Sequence, residues 1–199
     1  MIGGADIVRM GIESQQITTI QKGFPILERS LQRIEMLVRN MLNYSRDREP
    51  DRSEVDLTAL AKEVIESEHA RAEKFHITLE IAADQPIVAF VDRIGILQIL
   101  LNLIGNAIEA CDRAGGVVTV SCEKNDDGFT LQVADTGAGI PEDGDAKLFE
   151  AFYTTKGSSG TGLGLASSQK IAHEPGGHIE AHNRPGGGAE FTLLLPVAA

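Results

Sequence analysis

Cysteine is scarce in this chain. Two occur, Cys111 and Cys122, and they form no CxxC pair. That argues against a disulfide framework and a thiolate zinc site, and fits a reducing compartment. Positive charge is also short: 18 Lys and Arg against 29 Asp and Glu give a net charge of −11. So acidic a chain repels phosphate backbones, and no nucleic-acid partner is expected. A nucleotide is different, since it needs only a local pocket and a metal ion. Long hydrophobic runs are missing as well. The best, Ile94 to Ile104, is cut by Gly95, Gln98 and Asn102 and falls short of the roughly 20 residues that a bilayer demands. The opening MIGGADIVRM lacks the charged start and apolar run of a signal peptide. The expectation is a cytoplasmic chain with no membrane contact of its own, which leaves open an anchor elsewhere in a parent protein.

What is present is an ordinary globular composition: 199 residues, 42% hydrophobic and 24% charged. Length alone suggests one domain and a remainder, and the chain divides near residue 46. Before it, Ile17, Ile20, Phe24, Leu27, Leu31, Ile34, Val38 and Met41 recur at alternating spacings of three and four. That is a heptad seam, the mark of a helix packed in a bundle or coiled coil. Leu37 and Leu42 widen the apolar face towards what a four-helix bundle needs. Gly23 and Pro25 predict a kink or break. Ile7, Val8 and Met10 to Ile12 read as the tail of another helix, with Glu13 to Gln16 as the turn. A lone hairpin cannot bury so long a stripe, so a homodimer through residues 1–45 is expected.

Residues 47–54 are charged, contain Pro50, and read as a linker. An α/β unit over 55–199 follows. A helix is expected over 57–73 with Asp56 as N-cap, and an apolar helix over 93–112. Strands are expected at 76–82, 87–91, 116–123, 127–134, 178–183 and 189–195. Residues 136–160 show no period and form a candidate lid, with Phe149 and Phe152 as its anchors. A last helix starts near Gly162 and stops before Pro175.

Four short segments of this unit carry chemistry. Asn102 and Asn106 lie at i and i+4, so both amides share one helix face. An amide oxygen is a neutral hard ligand, suited to Mg²⁺ when phosphates bring the charge. Asp135-Thr136-Gly137-Ala138-Gly139-Ile140 follows a strand. A carboxylate there accepts from an exocyclic amino group such as adenine's, and the glycines let a ring approach the backbone. Gly160-Thr161-Gly162-Leu163-Gly164-Leu165 opens a helix, where freed amides and the positive helix end suit phosphate. Phe149 to Lys156, FEAFYTTK, has apolar residues to pin the lid and a lysine to reach phosphate. Singly, each segment also fits a plain reading: a polar helix edge, a turn, a hinge, a surface lysine.

In order and spacing these segments resemble the GHKL ATPase fold, and within it the catalytic domain of two-component sensor histidine kinases. The N box is similar to Gln98–Ala110, the G1 box to Asp135–Ile140, the F box to Phe149–Lys156 and the G2 box to Gly160–Leu165. Gly176-Gly177-His178-Ile179 and Phe191 to Pro196 resemble the closing strands, and MLVRNMLNYSRDREP resembles the second helix of the dimerisation and phosphoacceptor domain. The resemblance spans roughly residues 54–197. It implies an α+β chain: a helical hairpin forming a dimeric four-helix bundle, then a GHKL (Bergerat) α/β sandwich with a mixed sheet and an ATP lid. It implies ATP and Mg²⁺ as cofactors and a response-regulator receiver domain as partner. Asn106 would coordinate Mg²⁺, with Asn102 near the phosphates. Asp135 would bind the adenine amino group, and Gly137 and Gly139 would shape the base pocket. Lys156 and Gly160, Thr161, Gly162, Leu163 and Gly164 would hold the phosphate tail. Thr192 would back the adenine through water.

Two departures stand beside these matches. The family's acceptor histidine, followed by an acidic residue and Asn-Pro, has no counterpart: the five histidines, His69, His76, His173, His178 and His182, all lie outside residues 1–45. The resemblance therefore implies a first helix that begins upstream, and a chain that does not phosphorylate itself. Glu109 stands where many relatives carry a basic residue, and reads as an exposed helix carboxylate. His178 and His182, with no acidic partner expected beside them, do not read as a metal site. The competing functions are a GHKL-type ATPase clamp and a non-phosphorylating adaptor. A hydrolase needs a base to activate water. The clamp branch places a Glu for this one turn before the metal Asn, where this chain has Asn102, so the kinase is favoured.

Overall fold

The computed structural model describes residues 3–45, 50–83, 85–111, 115–141, 147–155 and 160–196. They divide into two compact units, Met1–Arg46 with Thr155–Thr161, and Asp47–Thr154 with Gly162–Ala199.

The first unit is a helical hairpin of α1 (Gly4–Glu13) and α2 (Ile17–Ser45). Asp6 accepts a hydrogen bond from the Gly3 amide at 3.0 Å, closing the start of α1. The helices meet backbone to backbone. A Cβ on Gly11 would lie 2.8 Å from the Ile20 nitrogen, and one on Gly23 would lie 2.9 Å from the Val8 nitrogen. The expected break at Gly23 and Pro25 is absent, and α2 runs through both. Gly23 serves the close approach to α1, and that packing carries the helix past the proline. Ile20 and Leu27 are half-buried, whereas Ile17, Phe24, Leu31, Ile34, Val38 and Met41 are at least half exposed. The side chains of Leu37 and Leu42 lie outside the described residues.

The second unit opens with β1 (Arg52–Asp56), α3 (Leu57–Lys74), β2 (Ile77–Ala82), β3 (Val88–Asp92) and α4 (Arg93–Cys111). It continues with β4 (Gly116–Lys124), β5 (Gly128–Asp135), α5 (Gly164–His173), β6 (His178–Asn183) and β7 (Ala189–Pro196). Strand β1 begins inside the expected linker. It has little apolar pattern of its own and is held by antiparallel pairing with β3. Asp56 caps α3, accepting from the Ala59 amide at 3.1 Å.

The main sheet has the order β2-β4-β5-β7-β6. It is mixed: β2 and β4 run parallel and the other pairs antiparallel. Alternation divides its residues between two faces. Val118, Val120, Leu131, Val133, Phe191, Leu193 and Ile179 are buried under α3, α4 and α5. The opposite face carries Ser121, Gln132, Thr192 and Glu180, which the strand register sets in a row.

Helix α4 is the one described helix long and apolar enough to cross a bilayer, contrary to the expectation that no segment is. Gln98 and Asn102 do not interrupt it, because a polar residue costs a helix little. Its apolarity has another explanation here: ten of its residues are buried in the core between sheet, α3 and α5.

Candidate functional site

Asp135 ends β5 on the helix-covered face and is 1% exposed. Its Oδ1 accepts hydrogen bonds from the Gly137 amide at 2.8 Å and the Ala189 amide at 3.2 Å. Both bonds engage Oδ1. Burial pushes the Asp135 carboxyl above its ordinary value, against the two amides and the Arg184 guanidinium, which pull it down. A buried carboxylate steadied by backbone amides suits a further neutral N–H donor.

The turn after Asp135 is pressed against α4. A Cβ on Gly137 would come within 2.6 Å of the Ala110 carbonyl group, so only glycine fits there. The Ala138 amide lies 3.4 Å from the Ala110 oxygen. Gly139 has a φ of +74°, in the left-handed region that glycine favours. Two residues that the sequence reading missed hold this turn from behind. Asn183 bonds Ile140 through both amide atoms, and Arg184 Nη1 donates to the Asp135 carbonyl oxygen at 3.0 Å. The signal available was the Arg-Pro-Gly-Gly-Gly run at 184–188, too glycine-rich for a plain hairpin.

Towards its middle, α4 faces α5. Asn102 Nδ2 lies 3.1 Å from the Ser168 hydroxyl and 3.3 Å from the Gly164 oxygen. Asn102 thereby ties α4 to the first turn of α5. Asn106, half-buried, lies one turn on. Leu163 is buried as the α5 N-cap, and the amides that follow it start the helix. Thus α4 links the two ends of one site: Ala110 meets the Asp135 turn, and Asn102 meets the α5 N-terminus.

The segment before α5 is fastened at Gly162, whose oxygen accepts from the Phe152 amide at 2.8 Å. Gly162 has a φ of +64°, and a Cβ on it would overlap the Phe152 backbone. Gly160 and Thr161 group with the first unit. Lys156 lies outside the described residues, as do 142–146 and 157–159 of the expected lid.

Three expectations need correction. Phe149 packs against the core as an anchor should, but Phe152 has a φ of 71° and is 71% exposed. Thr192 pairs with Gln132 on the helix-free face, opposite Asp135, so it is not brought to the site. The sequence itself held that answer, since its neighbours Phe191 and Leu193 are core residues and alternation turns Thr192 away. The histidine pair does have an acidic neighbour: Glu180 lies 3.1 Å from His178 Nε2 and 3.7 Å from His182 Nε2. The His178 hydrogen bond holds the Glu180 carboxyl below its ordinary value. Glu109 is an exposed helix carboxylate, as expected, and is bonded to Arg71 Nη2 at 2.7 Å.

The family described as histidine kinase-, DNA gyrase B- and HSP90-like ATPases matches residues 91–199, over half of the chain. The histidine-protein kinase AtoS of Escherichia coli K12 is 31% identical over 178 residues, covering 89% of this chain and 29% of AtoS. The catalytic domain of histidine kinase ThkA superposes with a TM-score of 0.66 at 32% identity, covering 74% of this chain and 97% of that domain. ThkA in complex with the response regulator TrrA gives 0.78 at 29% identity, covering 98% of this chain and 57% of that one. Full-length ShkA in complex with AMPPNP gives 0.72 at 30% identity, covering 94% and 40%. The chain belongs to this ATPase family, with the ATP-binding fold of its histidine kinases. It spans less than a third of AtoS.

Proposed function

We propose that the chain is the ATP-binding catalytic portion of a sensor histidine kinase, which transfers the γ-phosphoryl group of ATP to a histidine for relay to a response-regulator aspartate. The observation that carries the reading is Asp135: buried at the end of β5 and steadied through Oδ1 by two backbone amides. Such a group selects an adenine amino donor. Gly137 and Gly139 shape the floor of the base pocket. Gly162, Leu163 and Gly164, with Gly160, Thr161 and Lys156, hold the phosphate tail. Asn106 offers one amide oxygen, a donor set that suits a cation whose remaining ligands are phosphate oxygens and water. Mg²⁺ bound there would neutralise phosphate charge. Asn102, its amide protons directed to Ser168 and the Gly164 oxygen, fixes α5 against α4. An amide takes no proton from water, which disfavours an ATPase clamp.

The exposed stripe from Ile17 to Met41 supports homodimerisation through residues 1–45, and the complex between ThkA and TrrA supports a receiver-domain partner. We assign residues 1–46 to the dimerisation helices, 55–199 to catalysis, and the cytoplasm as the compartment. Phosphoryl transfer requires an acceptor in line with the γ-phosphate, and residues 1–45 hold no histidine. This chain therefore binds ATP without phosphorylating itself, and labels an added helical fragment that carries an acceptor histidine. Incubation with γ-labelled ATP tests both statements. An acid-labile, base-stable label on the chain alone would overturn the first, and an unlabelled fragment alongside proven ATP binding would overturn the kinase reading.

A further inference from the structure

Arg71 belongs to no motif, yet it reaches across from α3 to α4 beside the site. Its Nη2 lies 2.7 Å from Glu109 and its Nη1 lies 3.2 Å from Glu68. The contact with Glu109 joins residues 38 apart in sequence. The guanidinium lies over Gly105: a Cβ there would sit 3.4 Å from Arg71 Nη1. Gly105 and Glu109 flank Asn106, one in the preceding position and one in the following turn. At 3.6 residues per turn, Glu109 stands about 60° from Asn106 around the α4 axis and about 20° from Asn102. The guanidinium is thus set against the Gly105 and Glu109 side of α4, about 20° to 60° around the axis from Asn102 and about 60° to 100° from Asn106, and its side chain is 41% exposed.

Charge explains why such a group is needed there. The chain carries −11, and Glu109 places a carboxylate one turn from the proposed phosphate position. Two carboxylates facing a polyphosphate would repel it. Arg71 sets one positive charge between these two carboxylates, and only part of its five-donor fork is used in bonding them. The remaining N–H groups are presented in a fixed orientation, because Glu68 and Glu109 hold the guanidinium from two sides.

We propose that Arg71 is a phosphate ligand of the bound nucleotide, held in position beside Asn106 by Glu109 and Glu68. The proposal rests on the ATP-binding reading and adds to it a specificity for phosphate number. A guanidinium at the phosphate end distinguishes ATP and ADP from AMP, whereas Asp135 acts on the base that all three share.

The test is titration calorimetry of the full chain with MgATP, MgADP and AMP. In Arg71→Gln, ATP affinity falls about tenfold, as expected for one lost, partly exposed charge-assisted bond, while AMP affinity stays within about twofold. Arg71→Lys keeps the charge and recovers part of the loss. Equal losses for ATP and AMP in Arg71→Gln would make Arg71 a packing residue and overturn the proposal. Unchanged ATP affinity in that variant would overturn it as well. If the unaltered chain binds none of the three nucleotides, the ATP-binding reading falls too; if it binds them and Arg71→Gln changes nothing, only this assignment falls.

Discussion

Asn183 grips the backbone of Ile140 with both ends of its amide: Oδ1 accepts from the Ile140 nitrogen at 2.7 Å and Nδ2 donates to the Ile140 oxygen at 2.8 Å. A side chain at the end of β6 thereby imitates a strand partner for the turn that follows Asp135. The two residues are 43 positions apart, so the turn after Asp135 is braced from a distant strand.

Replacing Asn183 by Ala leaves two backbone groups without partners. The expected loss is about 1–3 kcal/mol of stability, with weaker nucleotide binding. Denaturant unfolding measures the first and hydrogen exchange at the Ile140 amide locates it. Protection of that amide equal to the unaltered chain would show that the clamp contributes nothing.

Gly162→Ala places a side chain at a φ of +64° and against the Phe152 backbone. Left-handed strain alone costs about 1–3 kcal/mol, and the overlap forces the Phe152–Gly162 hydrogen bond apart. ATP affinity and melting temperature should both drop. A variant that melts normally would mean that this stretch accommodates the methyl group freely.

Asp135 is raised by burial, and the sign of its pH dependence follows. With the folded value above the unfolded one, its contribution to folding is fully present below the unfolded pKa and is lost as pH rises through the folded pKa. Nucleotide binding runs the other way, because an ionised carboxylate accepts from an amino group more strongly than a protonated one. ATP affinity should fall on acidification from a pH above the ordinary carboxylate range. Asp135→Asn should lose about 1.5–3 kcal/mol of binding together with that pH dependence. Parallel pH profiles for the two proteins would remove the residue from the site.

Ile34 is 56% exposed on α2, in the middle of the apolar stripe. Ile34→Asp should convert a dimer into monomers without altering nucleotide affinity. Sedimentation equilibrium reads the mass, and the variant is informative only if the unaltered chain sediments above 21.3 kDa.

Local chemistry was legible in the sequence, and long-range geometry was not. The cap at Asp56, the apolar α4 and the glycine turns announce themselves within a few residues, since each follows from propensity or backbone freedom. Strand β1 escaped notice because its five residues carry one apolar side chain, Val55, and its order comes from β3. Asn183 and Arg184 were missed for a related reason. Their partners lie more than 40 residues away, and nothing local marks an Asn or Arg as a brace. Thr192 shows the opposite failure: its strand was read correctly and its face was not.

The last strand in the chain, β7, is an interior strand. It lies between β5 and β6, and β6 pairs with β7 alone. Synthesis runs from the N-terminus, so a nascent chain holds β5 with an open edge until β7 itself has been made. Folding of the nucleotide site is delayed in the same way, because the Ala189 amide that steadies Asp135 is itself the first residue of β7. Losing this strand would do more than shorten the sheet. It would leave a sheet with an unpaired edge and a detached β6, a species prone to pair with its own copies.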